Sequence, residues 1–311
     1  MAEKEGSLAY VFPGQGSQRV GMGLDLYQGF SSAREVFEEA DDALGFPLSR
    51  LCFEGPEEEL SQTANAQPAI LTVSLACLKA ASQVAGQLIC PVFMAGHSLG
   101  EYTALVAAQV LDFVDAVRLT RQRGRLMQEA GERVPGGMVA IIGLDELSVE
   151  QVCQEAGAQI ANLNSPGQTV ISGAKEMLVR AADLARAMGA RHIMPLKVSG
   201  AFHSPLMQPA TDGMAKAISE LSFRHPTVPI VVNSTAEPVT TADAVKEELL
   251  RQLCYCVQWQ RSVEYMVGAG VSTFIEIGPG QVLSGLIKRI SNEAQILNVG
   301  DAESIGVMPG W

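Results

Sequence analysis

The chain has 311 residues, of which 47% are hydrophobic and 18% charged, a composition typical of a globular enzyme with a large buried core. Its formal net charge of −12 at pH 7 argues against binding to nucleic acid or to an acidic membrane surface, since both require clustered cations. An acidic protein partner would have to dock on a local basic patch.

Targeting signals and cysteine chemistry set the next limits. Residues 1–10 contain no apolar run of signal-peptide length, and polar residues interrupt the most apolar stretch, 69–81, well short of a membrane span. The six cysteines are scattered without the spacing of a zinc site: Cys52, Cys77, Cys90, Cys153, Cys254 and Cys256. We expect reduced thiols and a soluble monomer in the cytoplasm, or in an organelle matrix if the chain is a processed form.

The predicted elements begin with a buried strand at 8–12, which runs into the glycine-rich turn Pro13-Gly14-Gln15-Gly16-Ser17-Gln18. The exposed amides of this turn could hold an anion. Helices at 31–44 and 68–85 and a short strand at 92–95 follow. That strand leads directly into Gly96-His97-Ser98-Leu99-Gly100 and a helix at 102–110. Apolar strands that alternate with helices, with only 5% aromatic residues, predict an α/β fold.

From residue 138 the predicted order of elements is βαββαβ. The strands are 138–142, 159–163, 169–172 and 192–196, and the helices are 149–156 and 175–188. This order is the ferredoxin-like pattern, which completes a small domain in about 60 residues. Glycines at 136, 137 and 200 flank it. We therefore predict a small domain at 136–197, inserted in a discontinuous α/β domain formed by 1–135 and 198–311.

The last third of the chain predicts a return to that larger domain. Strands are expected at 228–233 and 273–277, and helices at 243–254 and 260–269. The tail at 298–311 has no periodicity and is predicted to be loose.

Ser98 lies in a G-x-S-x-G pattern between a predicted strand and a predicted helix, the context typical of a nucleophile elbow. The flanking glycines allow a tight turn. The start of the helix also places backbone amides and the positive end of the helix dipole near a developing negative charge. The alternative is a serine that only caps this helix. The pattern favours Ser98 as a nucleophile.

A serine hydroxyl needs a general base, and the chain has four histidines. His203 follows the predicted insertion, where the chain returns to the main sheet, and is the favoured base. His97 adjoins Ser98 but should point away, because neighbouring side chains at a tight turn diverge. His192 lies in a predicted strand of the insertion and His225 in a predicted surface loop. A purely structural histidine remains the alternative for each.

An arginine stands on the apolar side of the helix predicted at 114–130. At 100° per residue, Arg118, Arg121 and Arg125 share a solvated face, whereas Arg123 lies opposite them among apolar residues. A buried arginine requires an anion. That anion is either an internal Asp or Glu, or a substrate carboxylate held through two parallel hydrogen bonds.

Five segments in this order carry a resemblance to a known family. They are Pro13-Gly14-Gln15-Gly16-Ser17-Gln18, Gly96-His97-Ser98-Leu99-Gly100-Glu101-Tyr102, Gln122-Arg123-Gly124, Phe202-His203 and Val257-Gln258-Trp259. Over residues 8–290 the chain resembles the malonyl-CoA:acyl carrier protein transacylase family. The resemblance implies an α/β-hydrolase-like large domain with an inserted ferredoxin-like small domain.

The resemblance also implies the reaction. Ser98 would be acylated by malonyl-CoA, with His203 as base and then acid, and the malonyl group would pass to the phosphopantetheine thiol of acyl carrier protein. The backbone amides of Gln15 and Leu99 would form the oxyanion hole. The reaction would need no bound metal or cofactor, since the coenzyme A thioester is itself the substrate. The product would supply fatty acid or polyketide synthesis.

Substrate contacts are implied in the same way. Arg123 would bind the malonyl carboxylate, Gln15 and Asn162 would line the substrate site, and Phe202, which is bulky, would favour malonyl over methylmalonyl. In this family a backbone carbonyl orients the histidine, at the position that matches Gln258.

The chain departs from the family pattern just before Gln258. Family members usually carry Asn-Pro there, whereas this chain has Tyr255-Cys256, which frees the local φ angle. A different local backbone conformation would change the position of the Gln258 carbonyl, which the resemblance assigns to the orientation of His203.

Two other classes of protein remain as alternatives. A serine esterase or thioesterase would share the elbow and the histidine, but would normally add an Asp or Glu and would have no use for an interior cation such as Arg123. A non-catalytic module that binds carrier protein would lack Ser98 or His203, and both are present.

Overall fold

The computed structural model describes residues 7–307, and their strands form two sheets. The strands are β1 Ser7–Phe12, β2 Phe93–Gly96, β3 Gly136–Ile142, β4 Gln159–Ser165, β5 Gln168–Ala174, β6 His192–Pro195, β7 Ile230–Val231, β8 Pro238–Val239, β9 Val271–Ile277 and β10 Gln295–Val299. The six-stranded sheet has the order β10-β9-β1-β2-β7-β8, and the four-stranded sheet has the order β4-β5-β3-β6.

Helices surround and connect the two sheets. They are α1 Leu24–Gly29, α2 Ser31–Leu44, α3 Leu48–Glu54, α4 Glu57–Leu60, α5 Thr63–Ala85, α6 Leu99–Ala107, α7 Phe113–Arg133, α8 Glu146–Ala156, α9 Lys175–Ala187, α10 Gln208–Ser219, α11 Ala242–Arg251, α12 Trp259–Gly268, α13 Val282–Ile290 and α14 Ala302–Val307. A 3₁₀ turn, Pro205–Met207, leads into α10.

The six-stranded sheet is parallel except for β8, which pairs antiparallel with β7. Its central strand β1 separates two cores, because alternate side chains of a strand point to opposite faces. Tyr10 and Phe12 pack with α2, α5 and α6, whereas Ala9 and Val11 pack with α12 and α13. A strand covered on both faces by helices is apolar almost throughout, which explains the sequence of β1.

Helix α5 runs through the larger core. It is long and apolar enough to cross a membrane, but most of its apolar length is buried inside the protein. It packs closely against α7 at Gly124, where a Cβ atom would lie 2.5 Å from the carbonyl oxygen of Thr63. This close approach requires glycine, and it brings the neighbouring Arg123 to the side chain of Gln67.

The four-stranded sheet is antiparallel, and its elements follow the predicted βαββαβ order. Helices α8 and α9 cover the face that carries Val139, Ile141 and Ile171. The opposite face, with Met138 and Ala140, joins the same core as β1 and α7. The two sheets therefore share one hydrophobic core.

Several boundaries differ from the sequence expectation. Helix α5 begins at Thr63 rather than 68, so Pro68 lies inside its second turn. Strand β7 is shorter than the predicted 228–233, and α10 and α13 were not predicted.

The expectation of a loose tail is wrong for residues 298–307. Strand β10 pairs in parallel with β9, and α14 follows it. The backbone N–H of Ala302 donates to Asp25 Oδ2 at 2.6 Å. A strand that is held by a distant partner leaves no periodic signal of its own. Residues 308–311 of that tail lie outside the described residues.

Candidate active site

Ser98 occupies a sharp turn between β2 and α6, as the sequence predicts. Its backbone has φ 51° and ψ −102°, a region that non-glycine residues rarely adopt. Two glycines make the turn sterically possible. A Cβ atom at Gly96 would lie 1.9 Å from the carbonyl carbon of Gly100, and one at Gly100 would lie 2.0 Å from the carbonyl oxygen of Phe12. The Ser98 side chain is consequently presented beside the start of α6.

His203 is the histidine that meets Ser98. Its Nε2 atom lies 2.8 Å from Ser98 Oγ, and its Nδ1 atom lies 2.7 Å from the carbonyl oxygen of Gln252. A carbonyl oxygen only accepts, so Nδ1 carries the proton and Nε2 offers its lone pair to the serine hydroxyl. Burial, and then the charge of Arg123, lowers the pKa of His203 from 6.5 to about 3. The imidazole is thereby kept neutral and able to act as a base.

The prediction that the Gln258 carbonyl orients the histidine is wrong. Gln258 precedes α12, and its carbonyl oxygen accepts from the N–H of Ser262 at 2.9 Å and from the Ser262 hydroxyl at 3.1 Å. Gln252 directly follows the last residue of α11, where a carbonyl has no intrahelical partner and is free to accept from His203. The helix end therefore supplies the acceptor, six residues earlier than the resemblance implied.

Arg123 lies inside the protein, with 1% of its surface exposed. Nη1 donates to Gln67 Oε1 at 2.8 Å, while Nη2 donates to Gln252 Oε1 at 2.8 Å and to Ser98 Oγ at 3.2 Å. Burial lowers the pKa of this guanidinium, and nearby Tyr102 and Glu101 act in the opposite direction. Within residues 7–307 no carboxylate lies within ion-pair distance of Arg123. The internal salt bridge considered from the sequence is therefore not what holds this cation.

Gln252 was missed by the sequence analysis although it touches three site residues. Besides accepting from His203 and Arg123, it donates from Nε2 to the carbonyl oxygen of Ser98 at 3.1 Å. Gln67 was missed as well. Gln252 is an uncharged residue inside the predicted helix 243–254, and Gln67 directly precedes the predicted helix 68–85, so the pattern gave no signal for either.

Two backbone N–H groups near Ser98 donate to no acceptor in the described part of the chain, those of Gln15 and Leu99. The turn that carries Gln15 lies against the elbow, since a Cβ atom at Gly14 would be 2.3 Å from the carbonyl oxygen of His97. Leu99 is the first residue of α6. Both N–H groups therefore lie in segments next to the elbow and have no acceptor within residues 7–307.

The remaining predicted residues lie around this centre. His97 points away from Ser98, as expected, and its Nε2 atom lies 2.9 Å from Asn164 Oδ1 and 3.4 Å from Asn162 Nδ2. Phe202 is buried next to His203, and its carbonyl oxygen accepts from the Ser172 hydroxyl at 2.6 Å. Neither His192 nor His225 lies at the site.

A cavity of about 590 Å³ opens between the four-stranded sheet and α13. Arg191, His192 and Arg289 line it. Two segments that line it are continuous with the surroundings of the site. The turn at Pro166 and Gly167 follows β4, which carries Asn162 and Asn164 beside His97, and Gln281 follows Gly280, which lies against Ser17. This is a local basic surface on an otherwise acidic protein, and the sequence could not locate it.

Residues 9–309 match the family model described as acyl transferase domain, and the protein is an acyltransferase. The malonyl CoA-acyl carrier protein transacylase of Escherichia coli strain K12 is 49% identical over 286 residues, which cover 91% of this chain and 92% of that protein. The protein of the same name from Bacillus subtilis strain 168 is 45% identical over 303 residues, which cover 96% of this chain and 95% of that protein.

Solved structures give the same result. An acyl carrier protein S-malonyltransferase from Vibrio cholerae superposes with a TM-score of 0.92 at 43% identity, over 96% of this chain and 99% of that one. A malonyl-transacylase in complex with its type II PKS acyl-carrier protein superposes with a TM-score of 0.93 at 44% identity, over 96% of this chain and 97% of that one. The chain belongs to the malonyl-CoA:acyl carrier protein transacylase family.

Proposed function

We propose that this protein transfers a malonyl group from malonyl-CoA to the phosphopantetheine thiol of acyl carrier protein, through an ester on Ser98. The observation that carries the proposal is Arg123, a buried cation 3.2 Å from the Ser98 hydroxyl, which has amide partners and, among residues 7–307, no carboxylate at ion-pair distance. A buried guanidinium without an anion is costly, and a substrate carboxylate would compensate it at this point. Relatives with this name and with high identity support the same substrate class.

In the first half-reaction His203 Nε2 takes the proton of Ser98 as Oγ attacks the thioester carbonyl. The negative charge that develops on the carbonyl oxygen is stabilised by the N–H groups of Gln15 and Leu99. The tetrahedral intermediate collapses, the C–S bond breaks, and the protonated His203 returns the proton to the departing thiolate of coenzyme A. The Gln252 carbonyl stabilises the imidazolium while it exists.

In the second half-reaction the phosphopantetheine thiol of the carrier protein enters. His203 removes its proton, the sulfur attacks the malonyl ester, and the C–O bond to Ser98 breaks as the proton returns to Oγ. Each half regenerates a neutral histidine, so the cycle needs no metal or redox cofactor. This is a ping-pong mechanism.

The cavity beside α13 is where the coenzyme would bind in this proposal. Coenzyme A and phosphopantetheine both carry phosphates, and Arg191 and Arg289 are cations of the type that binds them. Asn162, whose Nδ2 atom lies 3.4 Å from His97 Nε2, would contact the pantetheine arm or the malonyl group. Phe202, just before the base, would limit the space for a branched acyl group.

The fold supports a division of the chain into two domains. The order β4-β5-β3-β6 with two helices on one face supports a ferredoxin-like small domain at 136–197. The parallel sheet and the strand-elbow-helix at Ser98 support an α/β-hydrolase-like domain built from the described parts of 1–135 and 198–311. A monomer in the cytoplasm that supplies fatty acid or polyketide synthesis fits this assignment.

Mass spectrometry of the protein after brief incubation with malonyl-CoA alone tests the proposal. We expect one malonyl adduct on the peptide that contains Ser98, its transfer to carrier protein on addition of the holo form, and no adduct in Ser98→Ala. A stable adduct in Ser98→Ala, or on a cysteine peptide, would overturn the nucleophile. Release of free malonate at the full rate without carrier protein would instead support a thioesterase.

A further inference from the structure

Asn233 is a buried residue that the mechanism above does not use. It follows strand β7, with 1% of its surface exposed, and its side chain reaches the turn at Ser98. The backbone N–H of Ser98 donates to Asn233 Oδ1 at 2.6 Å, and Asn233 Nδ2 donates to the carbonyl oxygen of Gly96 at 2.7 Å. One amide group therefore binds the backbone on both sides of His97.

The backbone of Asn233 is fixed as firmly as its side chain. Its N–H donates to Glu101 Oε2 at 2.8 Å, and its carbonyl oxygen accepts from the N–H of Gln258 at 2.9 Å. The next residue, Ser234, donates from its N–H to Glu248 Oε1 at 2.8 Å. The amide of Asn233 thus projects from a backbone segment that two buried carboxylates hold in place.

The turn at Ser98 needs such a support. A non-glycine residue at φ 51° and ψ −102° costs on the order of 1–3 kcal/mol and persists only where its surroundings impose it. With its N–H directed to Asn233, Ser98 keeps Oγ toward His203. The following amide, that of Leu99, remains without an acceptor of its own.

We infer that Asn233 is a positioning residue for the reaction: its side-chain amide fixes the strained turn so that Ser98 Oγ faces His203 and the Leu99 amide faces the oxyanion. Asn233 touches neither substrate nor Oγ. It acts through Ser98, and the inference rests on the proposed role of that serine. The alternative is a buried asparagine that only contributes to stability.

The test compares Asn233→Ala, which removes both hydrogen bonds, with Asn233→Asp, which keeps an acceptor for the Ser98 N–H. The readout is the rate at which a fluorophosphonate probe phosphonylates Ser98 with loss of fluoride, since this reaction needs the nucleophile and the oxyanion hole but no malonyl group. We expect the alanine variant to react about 10- to 100-fold more slowly than the wild type, as displacements of 1 Å at a reacting centre do, and the aspartate variant to fall between them.

The steady-state reaction supplies a second readout. We expect kcat to fall in Asn233→Ala while KM for malonyl-CoA and the preference for malonyl over acetyl stay unchanged, because Arg123 does not contact Asn233. The matched control is Asn298→Ala. Asn298 lies on β10, three strands away from β2 and the elbow, and donates to Glu276 and to Ser284, so its loss should lower the Tm without slowing the labelling of Ser98.

The outcomes separate the inference from the proposed function. A wild-type protein that the probe does not label at Ser98 would remove the nucleophile and the inference with it. A labelled wild type with equal labelling of Asn233→Ala would overturn the inference alone. If Asn233→Ala does not fold, amide hydrogen exchange of the wild type decides: slow exchange of the Ser98 N–H, like that of the core strands, supports the bond to Asn233, and fast exchange overturns it.

Discussion

The two terminal nitrogens of Arg123 contact three side chains. Nη2 donates to the Ser98 hydroxyl and to Gln252, and Nη1 donates to Gln67. Amide oxygens satisfy the directional needs of a guanidinium but do not neutralise its charge. Within residues 7–307 no carboxylate pairs with it. The site is therefore electrostatically matched to an anionic acyl group and mismatched to a neutral one.

Removal of this cation should change substrate choice. Truncation of one partner of a desolvated charge pair costs on the order of 2–5 kcal/mol, so Arg123→Ala should lower kcat/KM for malonyl-CoA by roughly 30- to 4000-fold. Acetyl-CoA, which has no carboxylate, should lose little. The ratio of malonyl to acetyl transfer measures the effect. Arg123→Lys should restore this ratio only in part, because lysine supplies the charge but not the two parallel hydrogen bonds of a guanidinium.

Arg125→Ala is the matched control for that prediction. Arg125 lies on the exposed side of the same helix, 4.0 Å from Glu129, so its removal should leave the ratio unchanged. An equal fall for malonyl and acetyl substrates in Arg123→Ala would mean that the arginine only supports the fold.

His203 gives a prediction about pH. Its pKa is lowered from 6.5 to about 3, so the free enzyme keeps a neutral base well below the pH at which an exposed imidazole is protonated. We expect kcat/KM for acylation by malonyl-CoA, measured from pH 8 down to the onset of unfolding, to show no fall centred near 6.5. A sigmoidal fall with its midpoint near 6.5 would contradict the buried, neutral histidine.

The same shift makes the fold sensitive to acid. The folded state leaves His203 unprotonated while the unfolded state binds a proton below 6.5, so the unfolded state binds more protons in this window. The contribution of His203 to stability is therefore complete above pH 6.5 and is lost progressively as the pH falls toward about 3. Burial lowers the pKa of His97 as well, which adds to the loss in the same direction.

At the scale of single elements, the sequence predicted what a local pattern encodes. The apolar strand before Gly96, the helix after Ser98 and the interior face of α7 all follow from composition and periodicity, and the structure has them in place. The βαββαβ order was predicted for the same reason. Each of these signals lies within one element or between immediate neighbours along the chain.

What the sequence did not predict depends on contacts between distant elements. The acceptor for His203 is the carbonyl oxygen of Gln252, which is available because α11 ends just before it, and the predicted helix 243–254 ran past this point. Strand β10 is defined by its pairing with β9. Asn233 was assigned to a strand, and its bonds to the elbow join segments more than one hundred residues apart.

At the scale of the whole molecule, the site lies where the two sheets meet. The Asn164 side chain from β4 contacts His97 at 2.9 Å, and the N–H of Leu163 donates to the carbonyl oxygen of Val257 at 2.9 Å. One core includes side chains from both sheets. The base, the nucleophile and the cation therefore come from segments that are fixed relative to one another only in the complete fold.

The negative net charge of the molecule affects its encounter with anionic substrates. A net charge of −12 repels anionic substrates at long range, and in the proposed function the local cations Arg191 and Arg289 attract the phosphates of the coenzyme and of phosphopantetheine. Added salt screens such attraction. We expect Arg289→Ala to lower kcat/KM for carrier protein by about 10-fold at low salt, and to make that rate less dependent on salt than in the wild type.

Arg50→Ala changes the net charge equally, but Arg50 lies on the surface beside Glu54, so it should have no effect. Equal losses in the two variants would show that net charge, rather than this cavity, governs the encounter.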